Sequence, residues 1–100
     1  MFLKWFKPNI AEDDRQFHIS LKEQMHTTLD YYLKYKKVGK IPLMYRQGCH
    51  LISTCNYFIS SFSEQDPRYS RHVYRVRKRV LKEFEVYGFV YKDPMELGPL

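Results

Sequence analysis

Hydrophobic residues recur every three or four positions in three separate stretches of the chain, which is the spacing of an amphipathic helix. The first stretch has apolar positions from Phe17 to Tyr32 and ends in a lysine-rich turn before Gly39. Lysines suit the negative end of a helix dipole, and glycine readily takes the left-handed conformation that closes a helix. These signals predict a first helix over residues 11–37.

The second stretch begins at Pro42, a residue that fits the first turn of a helix, and predicts a helix over residues 42–62. From Gln47 to Ser63 the chain contains no Asp, Glu, Lys or Arg. A helix face that is open to water is usually more charged than this. We therefore expect this helix to be central, with its uncharged second face covered by the rest of the chain or by another subunit.

The third stretch, residues 66–87, has the strongest helix signals. Asp66 and Pro67 form an N-cap followed by proline at the first helical position, and Gly88 ends the pattern. Valines and aromatic residues from Tyr69 to Tyr87 predict a buried face. Nearly opposite that face lie five cations, named here the basic stripe: Arg71, Arg75, Lys78, Arg79 and Lys82.

The two ends of the chain give weaker patterns. Residues 1–8 form an arm with Phe2, Leu3, Trp5 and Phe6 around Lys4, which we expect to pack on the body of the protein. An interfacial membrane anchor is the less favoured alternative for this arm. Residues 89–91 allow a short strand, so a minor two-stranded β element with the arm is an option. Residues 93–100 indicate a loose tail.

Length and composition limit the architecture. The chain has 100 residues, of which 17% are aromatic, and a formal net charge of +6. This is enough apolar material for one small domain, although a domain of this size is near the lower limit for a self-sufficient core. The sequence therefore predicts a mainly all-α fold, a small three-helix bundle spanning residues 1–100, with a homodimer as a reasonable further expectation.

Several kinds of chemistry find little support in the residues. Cys49 and Cys55 lie six positions apart within one predicted helix, so we expect free thiols and a cytoplasmic protein. The paired spacings typical of metal sites are absent from the sequence, and so are a glycine-rich phosphate loop and a catalytic dyad pattern. No stretch is apolar enough to cross a membrane, and the arm lacks a signal-peptide core. We expect a non-enzymatic protein without a cofactor, a metal or a small-molecule substrate, and without membrane association.

The basic stripe is the strongest functional signal. Cations on one helical face, with a tyrosine near its edge, suit the phosphates of nucleic acid. The same surface also suits the acidic surface of a larger protein, to which a small inhibitor or adaptor would bind, and a solvated helix face is the simplest alternative. The residues expected to bind nucleic acid or an acidic partner are Arg68, Arg71, Tyr74, Arg75, Lys78, Arg79 and Lys82, extended by Lys34, Lys36, Lys37 and Lys40 if the end of the first helix lies beside them.

Overall fold

The structure is a computed structural model that describes residues 12–98. It contains three long helices, α1 (Glu12–Val38), α2 (Ile41–Phe62) and α3 (Pro67–Tyr87), and one short helix, α4 (Pro94–Leu97). The predicted helical architecture is confirmed, and the three long helices begin and end within about one residue of the expected positions. The prediction for the aromatic arm, residues 1–8, lies outside the described residues.

The ends of α1 and α3 follow from glycine and aspartate chemistry. Gly39 and Gly88 both have positive φ angles, 77° and 75°. After each glycine the next amide donates to the carbonyl five residues earlier, Lys40 to Tyr35 at 3.0 Å and Phe89 to Phe84 at 2.8 Å. This is the Schellman arrangement, which satisfies the last carbonyls of a helix. At the start of α3, the Asp66 side chain caps the helix by accepting a hydrogen bond from the Tyr69 amide.

Helix α2 lies at the centre of the fold. Both α1 and α3 run antiparallel to it and pack on it, and α4 packs on it as well. Among the described residues, no Cα atom of α1 lies within 8 Å of a Cα atom of α3. The two outer helices therefore meet each other only through side chains. The neighbours of α2 cover much of its uncharged surface, but Asn56, Tyr57 and Ser60 remain exposed.

Gly48 of α2 lies against side chains of both outer helices. A Cβ atom at this position would lie 2.5 Å from Cε1 of Phe84 in α3 and 3.1 Å from Cε1 of Tyr32 in α1. Glycine is required here because the ring of Phe84 occupies the space that any side chain would need. Around this point the core continues along α2 through the buried side chains of Met44, Cys49, Leu51, Ile52, Cys55, Phe58 and Phe62.

The predicted minor β element is wrong for residues 89–91, because no strand occurs among the described residues. Phe89 instead turns back onto the end of the bundle, where its ring packs edge-to-face on Phe84 and on Tyr45, each at a centroid distance of 5.1 Å. The hydroxyl group of Tyr45 also donates to the Val90 carbonyl at 2.7 Å. The hydrophobic residues that suggested a strand are used for packing against the core.

The segment predicted as a loose tail contains α4. Asp93 caps this helix by accepting from the Met95 amide at 2.9 Å. Arg46 of α2 donates to the carbonyls of Leu97 and Gly98, at 3.0 Å and 3.2 Å. These contacts place α4 against α2, on a part of its surface that α1 and α3 leave open.

Within residues 12–98, no helix combines the length and the hydrophobicity that crossing a membrane requires.

Candidate binding surface on the third helix

Helix α3 separates its apolar and basic residues onto opposite sides. Val73, Val80 and Phe84 are buried against α2. Because successive residues of a helix are about 100° apart, the positions between them point away from the core. All five cations of the basic stripe are exposed, and so is Arg68, one turn before the stripe. The structure therefore brings these six predicted residues onto one open face.

The net charge of the protein is concentrated in this helix. Residues 67–87 contain seven arginine or lysine side chains and two glutamates, a net charge of +5 out of +6 for the chain. Helix α2, by contrast, contains Arg46 as its one arginine or lysine and has no carboxylate. A field this localised attracts acidic partners to one side of the molecule.

The cations of this face have no carboxylate partner within the part of the chain that the structure describes. The ion pairs in this part of the chain join Lys22 to Asp66 and Lys36 to Glu83, and His18 donates a hydrogen bond to Asp66. Both carboxylates lie on the edge of α3 that faces α1, where Arg79 of the stripe is near enough to Glu83 to help lower its pKa without forming an ion pair. The positive charge of the stripe is therefore left available to a ligand.

Asp66 forms one end of the side-chain contact between α1 and α3, which we call the α1–α3 seam. Its Oδ2 atom accepts from His18 Nε2 and from Lys22 Nζ, both at 2.9 Å. Burial would raise the pKa of Asp66, but the hydrogen bonds from Lys22, the Tyr69 amide and His18 outweigh it and hold the pKa below its usual range. Asp66 is therefore both the cap of α3 and the anchor for the start of α1.

Glu83 forms the other end of the seam. Its Oε1 atom accepts from the buried Tyr32 hydroxyl at 2.6 Å, and its Oε2 atom pairs with Lys36. Burial opposes ionisation of Glu83, but the hydrogen bonds from Lys36 and Tyr32 outweigh this and lower its pKa. Burial and the same contact with Glu83 raise the pKa of Tyr32, so its hydroxyl remains a donor.

The lysines at the end of α1 divide into two groups. Lys36 pairs with Glu83, so it has a structural contact in addition to its predicted role. Lys34, Lys37 and Lys40 are exposed at this end of the molecule. The Lys36 contact places the end of α1 beside the end of α3. Lys34 lies over the Tyr31 ring, on nearly the opposite side of α1 from Lys36. The extension of the stripe by Lys34, Lys37 and Lys40 stays a prediction.

Along the edge of α3 nearest α2, Tyr74 stands beside the stripe with 46% of its surface exposed. The guanidinium carbon of Arg77 lies 5.2 Å from the centre of the Tyr74 ring. Arg77 is held in turn by Asn56 of α2, whose Oδ1 atom accepts from it at 2.7 Å. Leu81 also lies on this edge of α3, because it follows Tyr74 by seven residues, about two helical turns. The sequence patterns did not identify it.

Both cysteines are buried and free. The Sγ atom of Cys55 lies 3.9 Å from Sδ of Met25. Burial raises the pKa of Cys55 to about 12, partly offset by Arg77, so its thiol is protonated at neutral pH. Among the described residues, no three histidine, cysteine or carboxylate side chains come together in a way that would hold a metal ion. Cys55 therefore behaves as a small core residue.

Comparisons of the chain with protein-family models, with curated proteins and with solved structures found no match.

Proposed function

We propose that the open face of α3 binds nucleic acid through the backbone phosphates. One observation carries this proposal: Arg68 and the five cations of the basic stripe are exposed together, opposite the core, without carboxylate partners in the described chain. The proposed activity is binding, with no catalytic step, cofactor or small-molecule substrate.

The dimensions of the face support this proposal. From Arg68 to Lys82 the helix rises about 21 Å, at 1.5 Å per residue. A duplex carries about 12 phosphate charges along that length. Six cations on a rigid helix would contact some of them without reading base sequence. We therefore expect binding that depends on charge and is largely independent of sequence.

Release of counterions supplies the driving force in such a complex. If all six cations contact phosphates, the logarithm of the binding constant falls with the logarithm of salt concentration at a slope of about −5 for a duplex. Fluorescence anisotropy with a labelled oligonucleotide between 50 and 200 mM salt, roughly the interval over which such contacts weaken strongly, measures this slope. Absent binding, or binding that does not respond to salt, would contradict the proposal.

A pair of charge-reversed variants separates the stripe from net charge alone. Arg75→Glu with Lys78→Glu changes the charge at the centre of the stripe, and we expect affinity to fall at least tenfold. Arg15→Glu with Lys92→Glu makes the same change in net charge at exposed positions outside α3 and serves as the control. Equal losses for the two pairs would show that the stripe has no special role.

The outer side of α2 favours a second candidate, binding to an acidic surface of a larger protein as an inhibitor or adaptor. Tyr57, on this uncharged side, is 58% exposed. With Asn56, Ser60 and Tyr91 it lines a shallow depression of about 270 Å³. Asp93 lines the depression as well. Exposed aromatic side chains of this kind are enriched in protein interfaces, and the acidic partner would be held by the basic stripe beside them. A single stoichiometric partner recovered after nuclease treatment would support this function, and light scattering of the purified protein would test the expected homodimer.

The proposed setting is the cytoplasm. Two free, buried thiols fit a reducing compartment.

A further inference from the structure

We propose that the ligand of the α3 face is single-stranded nucleic acid, with one unpaired base stacked on Tyr74 while the basic stripe holds the backbone. This inference rests on the proposed nucleic-acid function and names its ligand class. It comes from an aromatic and aliphatic edge that phosphate binding alone does not require.

The Tyr74 ring is held in place and still open to a ligand. Arg77 lies against it at 5.2 Å and is itself fixed to Asn56 of α2 at 2.7 Å. Tyr74 nevertheless remains 46% exposed. A ring that is already positioned loses little conformational entropy when a base stacks on it, which favours binding.

A shallow, open groove lies along α3 beside this ring, and all of its lining residues belong to that helix. Its cavity volume is about 420 Å³, and Tyr74 and Leu81 provide its apolar surface. Arg75, Lys78 and Lys82 of the basic stripe line the same groove. Glu85 is the one carboxylate among its lining residues. Arg77 lines the groove as a fourth cation. An apolar surface beside these cations matches the two parts of a nucleotide, the base and the phosphate.

The choice between single strand and duplex follows from what each one exposes. In a duplex the bases are stacked on one another, so only their edges and the phosphates are accessible. In a single strand the base faces are free to stack on aromatic side chains, and each stacked base adds affinity that does not depend on sequence. The exposed ring beside the stripe is therefore useful for a single strand and has no corresponding partner in a duplex.

The test compares a labelled single strand of about 20 nucleotides, long enough for several binding sites, with the duplex of the same sequence. We expect the wild-type protein to bind the single strand more tightly at equal salt. Tyr74→Ala should weaken single-strand binding about fivefold to 150-fold, the range for loss of one stacked base, and change duplex binding less than about twofold. Tyr74→Phe should retain the wild-type affinity, because the ring is preserved.

Tyr57→Ala is the matched control, since it removes another exposed tyrosine that lies on α2 outside the groove, and it should leave both affinities unchanged. Tighter binding of the duplex, equal losses on both ligands with Tyr74→Ala, or a loss with Tyr74→Phe as large as that with Tyr74→Ala would overturn the inference. If binding remains salt-dependent in these outcomes, the proposed phosphate binding by α3 is not contradicted. If neither ligand shows salt-dependent binding, the proposed function itself fails.

Discussion

Helices α2 and α3 have nearly the same length, 22 and 21 residues, and each has a proline in its first turn. Their surroundings are opposite. Helix α2 has nine buried residues, packs on α1, α3 and α4, and carries one charged side chain. Helix α3 has four buried residues and nine charged ones. Packing therefore restricts the residues of α2 on several sides, whereas it leaves the open face of α3 available for binding.

The strongest test of this contrast is Gly48→Ala in α2. Alanine favours a helix over glycine by about 1 kcal/mol, but its Cβ atom would lie 2.5 Å from the Phe84 ring, which is itself buried. We expect the clash to prevail and the free energy of unfolding to fall by about 3 kcal/mol, as measured by urea denaturation. In a Phe84→Leu background, Gly48→Ala should lower the free energy of unfolding by less than it does in the wild-type protein. A more stable Gly48→Ala variant would show that α2 is not tightly packed.

A smaller effect is expected at the edge of α3 that faces α1. Glu83→Ala removes the acceptor of the buried Tyr32 hydroxyl and the partner of Lys36, so we expect a loss of about 2 kcal/mol, mainly from the unsatisfied hydroxyl. Thermal or urea unfolding measures this loss. In a Tyr32→Phe background the same substitution should cost clearly less, because no hydroxyl is left without a partner. Equal costs in both backgrounds would mean that this hydrogen bond does not stabilise the seam.

Acid pH tests both ends of the α1–α3 seam together. The pKa values of Asp66 and Glu83 lie below their ordinary values of 3.8 and 4.5. Near and below these values the unfolded chain binds more protons than the folded protein, so the stabilisation is complete above about pH 5 and is lost as the pH falls through the lowered pKa values. Urea midpoints measured from neutral to acid pH should follow this course. In the variant Asp66→Asn with Glu83→Gln, the urea midpoint should fall less between neutral and acid pH than in the wild-type protein. An identical fall would show that the two carboxylates of the seam do not cause the acid sensitivity.

The smallest effect on stability is expected on the open face of α3. Arg75→Glu with Lys78→Glu alters exposed residues that have no ion-pair partner among the described residues. The melting temperature should therefore change little, corresponding to about 0.5 kcal/mol or less per substitution. The nucleic-acid affinity of the same variant is expected to fall at least tenfold, as stated above. A large loss of stability would show that this face contributes to folding, and its charge would then need no binding partner as an explanation.

The sequence predicted those features that depend on nearby residues. The three long helices follow from their hydrophobic spacing, and the ends of α1 and α3 follow from Gly39, Asp66 and Gly88, whose effects act within one turn. Helix α4 was missed because it has only four residues, too few for a periodic pattern. The strand expected at residues 89–91 was wrong because a short apolar run does not reveal whether it pairs with a strand or packs on rings, as Phe89 does.

The candidate site was predictable in part. Spacing alone identified the basic stripe and placed Tyr74 at its edge, because both lie on one helix. The contact of Lys36 with Glu83 joins residues 47 positions apart, and that of Arg77 with Asn56 joins residues 21 positions apart. No local pattern indicates which distant residues will meet, so the seam and the positioned Tyr74 ring emerge only in three dimensions.

The central position of α2 also bears on how the protein folds. Within residues 12–98, the three long helices form two overlapping helical hairpins, α1–α2 and α2–α3, that share one helix. Each hairpin joins neighbours in sequence, so most of the core forms across short loops, a topology that favours rapid folding. Neither hairpin covers α2 by itself, because the other outer helix buries a different part of its surface. The two halves therefore depend on each other for stability, and their shared helix makes unfolding a cooperative event of the whole bundle.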